Sequence, residues 1–562
     1  MKKSIPKRIL SGVLATALAV SILPAAAAIV NAGTASDTTT FTFSNSGITT
    51  QNGNGTGYKI NGTELTIQKS GTYSVSGSCS DGSIQIKKGT TGVTLVLNGL
   101  TLTSADTAPL SCNKSTEVTI VAASGTTNTL TDSANNNDGT NPDNEDAENA
   151  VIKCKDGSDV TICGTGTLKV TANGKNGIKS GAITAEEGMA ALTIRDVKLN
   201  ITAPVNDAIN AEQQLNIESG TLTISAADDA IHGDLVLNIG ANSTAGPTIR
   251  ITDCYEGLKA ATLNIFSGNL EITASDDCLN AANSDLRNYD FSMNISGGTI
   301  NASSTSGDGF DSNGDLTISG GAVTVWTANM ADNQPLDADG TLILSGGTVL
   351  AAGGSSGMGV RISATQPYVI FGTTSGMGGR PMGNRQSTAT IAKDGSFSIR
   401  DNAGDAVYSG TAICNANYVF FSSAKLTAEN SYTLYSGNTN AATATAQTGT
   451  ADSACPFSDI PAGSYCKQAS TWAAANQIVC GYGNGCFGAD DAVTREQLAA
   501  ILYRYAQYKG YDTSDSTVLT DFSDWADVSG YAKPAVAWAN AAGLIQGGTT
   551  GTLAPKDTAT RA

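Results

Sequence analysis

From residue 160 onward, the chain repeats one phrase of alternating apolar and polar positions, L-x-I-x-x-G-x-L-x-I-x-A. Its clearest copy runs from Leu215 to Ala226. Leu215, Ile217, Leu222, Ile224 and Ala226 alternate with Asn216, Thr221, Thr223 and Ser225, and Gly220 divides the halves. Copies recur at Leu263 to Ala274, Met293 to Ala302, Leu316 to Ala328 (with one extra residue) and Leu342 to Ala352, with weaker ones from Val160 and Leu192. A period of two marks a strand with one buried face, and the glycine marks a turn. Each copy therefore predicts strand, turn, strand.

Between the copies stands a second phrase: an acid or Asn, a small residue, an aliphatic or Phe, then a polar residue. It reads Asn176-Gly177-Ile178-Lys179, Asp207-Ala208-Ile209-Asn210, Asp229-Ala230-Ile231-His232, Glu256-Gly257-Leu258-Lys259, Asp277-Cys278-Leu279-Asn280 and Asp308-Gly309-Phe310-Asp311. The apolar members, at 178, 209, 231, 258, 279 and 310, are 21 to 31 residues apart. Three short strands in such a period fit one coil of a parallel β-helix, a solenoid in which no coil buries its apolar face alone. A propeller blade needs about 40 residues, and leucine-rich repeats need an Asn or Cys ladder. The expected fold is therefore an all-β right-handed parallel β-helix. Its coils would stack at about 4.8 Å, with Ile178, Ile209, Ile231, Leu258, Leu279 and Phe310 as one interior ladder. Loops such as 283–290 and 331–339 would absorb the variable spacing outside.

The same stacking aligns Asp207, Asp229, Glu256, Asp277 and Asp308 in one column, with Asn206, Asp228 and Asp276 beside it. Like charges at this spacing repel by about 1 kcal/mol per pair in water and several times more at an effective dielectric near 20. Asp and Asn favour turns anyway, but turn preference does not place acidic doublets in register. Calcium, which takes six to eight oxygen ligands in flexible geometry, would neutralise the column. The expected ligand sets are Asp207, Asp228 and Asp229; Glu256, Asp276 and Asp277; and Asp308 with Asp311. Soft ligands for zinc or copper are not at hand.

Composition narrows the class. The 562 residues carry a net charge of −18 and 63 glycines, which argues against nucleic acid or an anionic membrane as partner. Lys2, Lys3, Lys7 and Arg8, an apolar run from Ile9 to Leu23 and cleavage points after Ala28 or Ala32 predict a signal peptide over 1–32. Export of a chain with no membrane insertion after cleavage is the expectation. Eleven cysteines are an odd count for an exported chain, so not all can pair internally. Cys455, Cys466, Cys480 and Cys486 crowd together, and two disulfides are favoured there over a metal site.

The runs from Ala226 to Gly233, Cys254 to Lys259 and Ala274 to Ala282 resemble the calcium-binding, carbohydrate-binding parallel β-helix proteins of clostridia, which are polysaccharide-lyase-like. Asn417 to Ser423 and Ser431 to Tyr435 resemble that family's C-terminal segment. The resemblance covers roughly 85–440. It implies binding of plant cell-wall polysaccharide, cellulose or polygalacturonate (pectin), without established cleavage. Ala230 and Cys278 replace the family's glycine, and Lys259 stands where Glu is usual. Lys259 carries the alternative of a calcium-dependent pectate-lyase-like enzyme, as the base of a β-elimination, with Lys179 second; an ordinary salt bridge is the plainer role. His232 suits a hydrogen-bond partner within the column. Trp326, Tyr289 and Tyr368 are candidates for stacking on sugar or for packing. A structural, adhesin-like surface protein that ignores sugars is a third reading.

The expected carbohydrate-binding β-helix domain occupies 37–437, with a Thr/Ala-rich linker over 438–454. Beyond it, at 455–562, the pattern turns to amphipathic helices. Phe457-Ser458-Asp459-Ile460, Gly481 to Phe487 and Val493-Thr494-Arg495-Glu496-Gln497-Leu498 resemble one S-layer homology (SLH) repeat. Phe522-Ser523-Asp524, Val536-Ala537-Trp538-Ala539 and Thr560-Arg561-Ala562 resemble a second, cut short at Ala562. That resemblance implies an all-α module binding the bacterial secondary cell-wall polymer or a peptidoglycan-linked glycan at the cell surface, with Arg495 and Arg561 facing its carboxylates. Tyr465 and Tyr531 replace the usual early Trp.

Overall fold

The computed structural model describes residues 38–53, 55–181, 191–212, 214–241, 243–286, 289–330, 333–354, 360–372, 390–451, 457–460, 470, 473–474, 477–482, 485–489, 491–508, 513–514, 516–547 and 551–559. The expected signal peptide, Arg561, Tyr465, Cys455 and Cys466 lie outside them.

The alternating phrases form strands whose apolar members face one core. In Thr221–Ala226, Leu222 and Ile224 are fully buried while Thr221 and Thr223 are exposed. Strands of successive repeats pair parallel, in three ladders. One joins Thr167–Thr171, Lys198–Ala203, Thr221–Ala226 and Thr248–Asp253, then Asn269–Ala274 and Thr299–Ser304. A second brings Val160, Leu192, Leu215, Leu237 and Leu263 into register. The third is the expected aliphatic ladder: Ile178, Ile209, Ile231, Leu258, Leu279 and Phe310 are successive register partners, each fully buried. The result is mostly β, dominated by one large sheet.

On the exposed side of the second ladder, Asn216, Asn238, Asn264 and Asn294 stack as an amide ladder. Each Nδ2 of the last three donates to the Oδ1 before it at 2.9–3.0 Å. The same register that stacks the core thus also stacks polar side chains outside it.

Both ends of the ladders are closed by antiparallel strands. Thr38–Ser44 pairs with Gly47–Gln51 at the start. At the other end, Tyr418–Ser423 pairs antiparallel with Thr348–Gly353 and Arg361–Phe371. A four-stranded antiparallel sheet follows, built on Ser396–Arg400 and Ser431–Ser436, with its own core around Phe397, Leu434 and Phe421.

Two expectations change here. The Thr/Ala-rich stretch 438–454 is not a linker where it is described, because Thr439–Thr445 and Gln447–Ala451 are strands. Its alanines supply the apolar positions: Ala442 and Ala446 are buried at 5% and 1% exposure. Nor is 331–339 wholly an outer loop, since Leu336 bridges to Phe310 and adds one more rung.

Near the C-terminus stand helices Arg495–Tyr508 and Lys533–Ala541, packed through Ala499, Val536, Trp538 and Ala539. Among the described residues no helix is long and apolar enough to cross a membrane. Cys79, Cys112, Cys154, Cys163, Cys254 and Cys278 are buried thiols that fill core positions.

Candidate metal centre and glycan edge

On four rungs of the aliphatic ladder, the polar residue after the aliphatic reaches back to the acid three places before that polar residue. Asn210 Nδ2 donates to Asp207 at 2.6 Å. His232 Nδ1 lies 2.9 Å from Asp229 Oδ2, Lys259 Nζ 2.8 Å from Glu256 Oε2, and Asn280 Nδ2 3.1 Å from Asp277. Two columns thus run side by side, one acidic and one formed by the polar residues. Strand register stacks the second as Lys153, Lys179, Asn210, His232, Lys259, Asn280 and Asp311. On the last of these rungs acid meets acid.

Backbone groups hold the carboxylates in place. Asp229 N donates to Asp207, Asp308 N to Asp277 at 2.8 Å, and Gln334 N to Asp308. Each acid therefore clips the next rung to its own.

Burial dominates the electrostatics. It raises the Asp207 carboxyl to about 6, and Asp277 and Asp308 to about 7. Asp311 is raised furthest, to about 8, by burial and then by Asp277, Asp337 and Asp308. Burial works against the His232 imidazolium. Hydrogen bonds to Asp229 and Asp234 outweigh it and push His232 up to about 10. Lys259 is raised in the same way: burial is overcome by Glu256 and Asp229.

Among the described residues, two groups bring three acids' ligand atoms within 4.8 Å of one another: Asp207–Asp228–Asp229 and Asp308–Asp311–Asp337. The first is a set expected from the sequence. The second contains the expected Asp308 and Asp311, with Asp337 added by the extra rung. Glu256, Asp276 and Asp277 are not among these groups; Glu256 is engaged by Lys259 and by Asn280.

The donor chemistry of the Asp308 group fits a hard divalent cation. One further atom supports it: Asn280 Oδ1 is buried and accepts no hydrogen bond. Asn280 and Asp311 are register partners, and the Asn280 amide NH₂ is turned to Glu256 and Asp277. A buried acceptor beside carboxylates, with no donor to serve it, suits a cation.

Tyr255, which the sequence did not single out, is 49% exposed and hydrogen-bonded to Asp276. Of the three aromatic candidates, Trp326 and Tyr368 are core residues packed on Phe397 and Phe420. Tyr289 shares a hydrogen bond with Thr262 at 3.1 Å and leans on Phe291.

Residues 61–357 match the family model of the carbohydrate-binding domain-containing proteins, and that span is more than half of the chain. The chain belongs to this family. A carbohydrate-binding domain-containing protein of Acetivibrio thermocellus is 37% identical over 123 residues, 22% of this chain and 42% of the relative. An endoglucanase of a Bacillus species is 32% identical over 106 residues, 19% of this chain and 11% of that enzyme. The chain thus spans less than half the length of these curated relatives. A solved polysaccharide lyase-like protein of C. thermocellum, as its gadolinium derivative, aligns over 58% of this chain and 97% of its own at 23% identity. Its TM-score of 0.30 is too low to carry an argument.

Residues 456–499 and 521–562 match the S-layer homology domain, which indicates anchoring to the cell wall at the cell surface. In this module Arg495 is committed to backbone: its guanidinium donates to the carbonyls of Leu553 at 2.9 Å and Gln546 at 2.8 Å. Arg504, Tyr482 and Tyr531 line a cavity of about 620 Å³ beside it.

Proposed function

We propose that this carbohydrate-binding protein closes its ladders into a right-handed parallel β-helix, binds calcium at the acidic columns and holds plant cell-wall polysaccharide along them. Polygalacturonate or cellulose is the glycan, and the SLH module holds the exported protein to its own secondary cell-wall polymer. The carbohydrate rests on the family match over 61–357. The observation that carries the location is Tyr255, an exposed ring in the column position that Asp228 and Asp276 occupy on the neighbouring rungs. An amphipathic ring fixed at its hydroxyl offers its face to a pyranose, and calcium two rungs further along the column would supply the charge that a uronate seeks.

Asp308, Asp311, Asp337 and Asn280 would hold the ion, which supplies charge neutralisation. Lyase chemistry is the weaker reading. A base near neutral pH needs a lowered lysine pKa, whereas Lys259 is raised. Electrophoresis through gels carrying polygalacturonate or soluble cellulose derivatives, with calcium or chelator, tests the proposal. Calcium-dependent retardation that weakens at least several-fold in Tyr255→Ala is expected. Equal mobility in every gel would sink it.

A further inference from the structure

The polar column changes sign along the stack. It runs His232, Lys259, Asn280, Asp311 and, through the Leu336 rung, Asp337. Where this column is basic, the acids beside it already have a cation. Lys259 Nζ is 2.8 Å from Glu256 and 3.7 Å from Asp229, so one ammonium bridges two rungs. His232 takes the same Asp229 oxygen at 2.9 Å. At equal distance a divalent ion is repelled by an ammonium as strongly as a carboxylate attracts it, so Lys259 cancels one ligand outright. Among the described residues no basic side chain continues the column beyond Asn280, and the orphaned Asn280 Oδ1 belongs to the rung next to the acid-on-acid one.

We infer that Lys259 is the resident counter-ion of the Asp207–Asp228–Asp229 end of the column, so that this chain takes its calcium at Asp308–Asp311–Asp337 and not at the first group. The inference rests on the calcium reading above. Residue 259 then decides which rungs are neutralised by the chain and which by metal. Asn280 marks the boundary, its NH₂ serving the side with built-in cations and its carbonyl oxygen the metal side.

The test is calcium stoichiometry on the full chain, by equilibrium dialysis against calcium chloride with atomic emission. It compares wild type, Asp311→Asn, Asp207→Asn, Lys259→Glu and Lys259→Met, each checked for folding by circular dichroism. The expected pattern is an ion lost in Asp311→Asn, none lost in Asp207→Asn, and an additional ion per chain in both Lys259 variants. Lys259→Met removes the charge without adding a ligand, so it decides the matter if Lys259→Glu does not fold. Loss of an ion in Asp207→Asn, or no gain in a folded Lys259 variant, overturns the inference. A wild type without calcium whose Lys259 variants gain it would remove the Asp311 site and leave the counter-ion role standing. Absence of calcium from every variant overturns both.

Discussion

At Asp311 a buried carboxyl is crowded by Asp277, Asp337 and Asp308, and among the described residues its rung carries no basic group. Burial and neighbours raise it from 3.8 to about 8, with Asp277 and Asp308 raised to about 7. A native carboxyl raised above its unfolded value binds more protons folded than unfolded, so stability falls as pH climbs through that window. His232, raised from 6.5 to about 10, adds stability that is present below 6.5 and lost as pH rises through about 10. In chelator, the melting temperature is therefore expected to fall steadily between about pH 4 and 8, and to keep falling toward 10. Saturating calcium, by holding the carboxylates ionised, flattens the part below pH 8. Melts across pH with and without calcium check both. Asp311→Asn should raise the pH 8 melt in chelator and abolish most of the calcium-induced gain. Asp308 and Asp311 were legible as candidate ligands because they sit in the repeated phrase. Asp337 was not, because its rung reads Gln334-Pro335-Leu336-Asp337 and lacks the leading acid.

At the scale of the strand, stability rests on the registered interior ladders. Leu258 is fully buried between its register partners Ile231 and Leu279. Leu258→Ala is expected to cost about 2–5 kcal/mol by removing apolar contact and leaving a cavity that rigid neighbouring rungs cannot fill. Thr223→Ala, on the exposed side of its strand, should stay within about 0.5 kcal/mol. Denaturant unfolding of the two variants separates them. These strands were readable from the chain because alternation with Leu and Ile is unambiguous. Thr439–Thr445 was not, because its buried position is Ala442, whose small side chain gives the pattern no contrast with Thr, and Gln447–Ala451 was not, because it carries no large apolar residue. The same weakness hid Tyr255: it stands where neighbouring rungs carry an acid, and alternation says nothing of which turn residues face a ligand. Trp326 and Tyr368 misled for the opposite reason, since large aromatics serve a core as readily as a sugar.

For the whole molecule, the family match and the SLH match describe two tasks in one chain, glycan binding and wall attachment. Purified cell-wall sacculi are expected to sediment the full chain, and a chain ending at residue 454 should stay in the supernatant while still folding. Equal sedimentation of the two would remove wall attachment from the C-terminal helices. Arg495, the residue type that the SLH resemblance assigned to the polymer, is held by the carbonyls of Leu553 and Gln546, so Arg495→Ala should lower the melting temperature of the module. A tethered binding protein is also a mechanical part. Tension from the wall would reach the ladders through Gln447–Ala451, which lies antiparallel against Arg361–Phe371, the closing strand of the stack. Pulled there, that pair must be loaded before any rung behind it. The returning strand is therefore a clasp, and it protects a stack whose parallel rungs, gripped directly, would peel away one at a time.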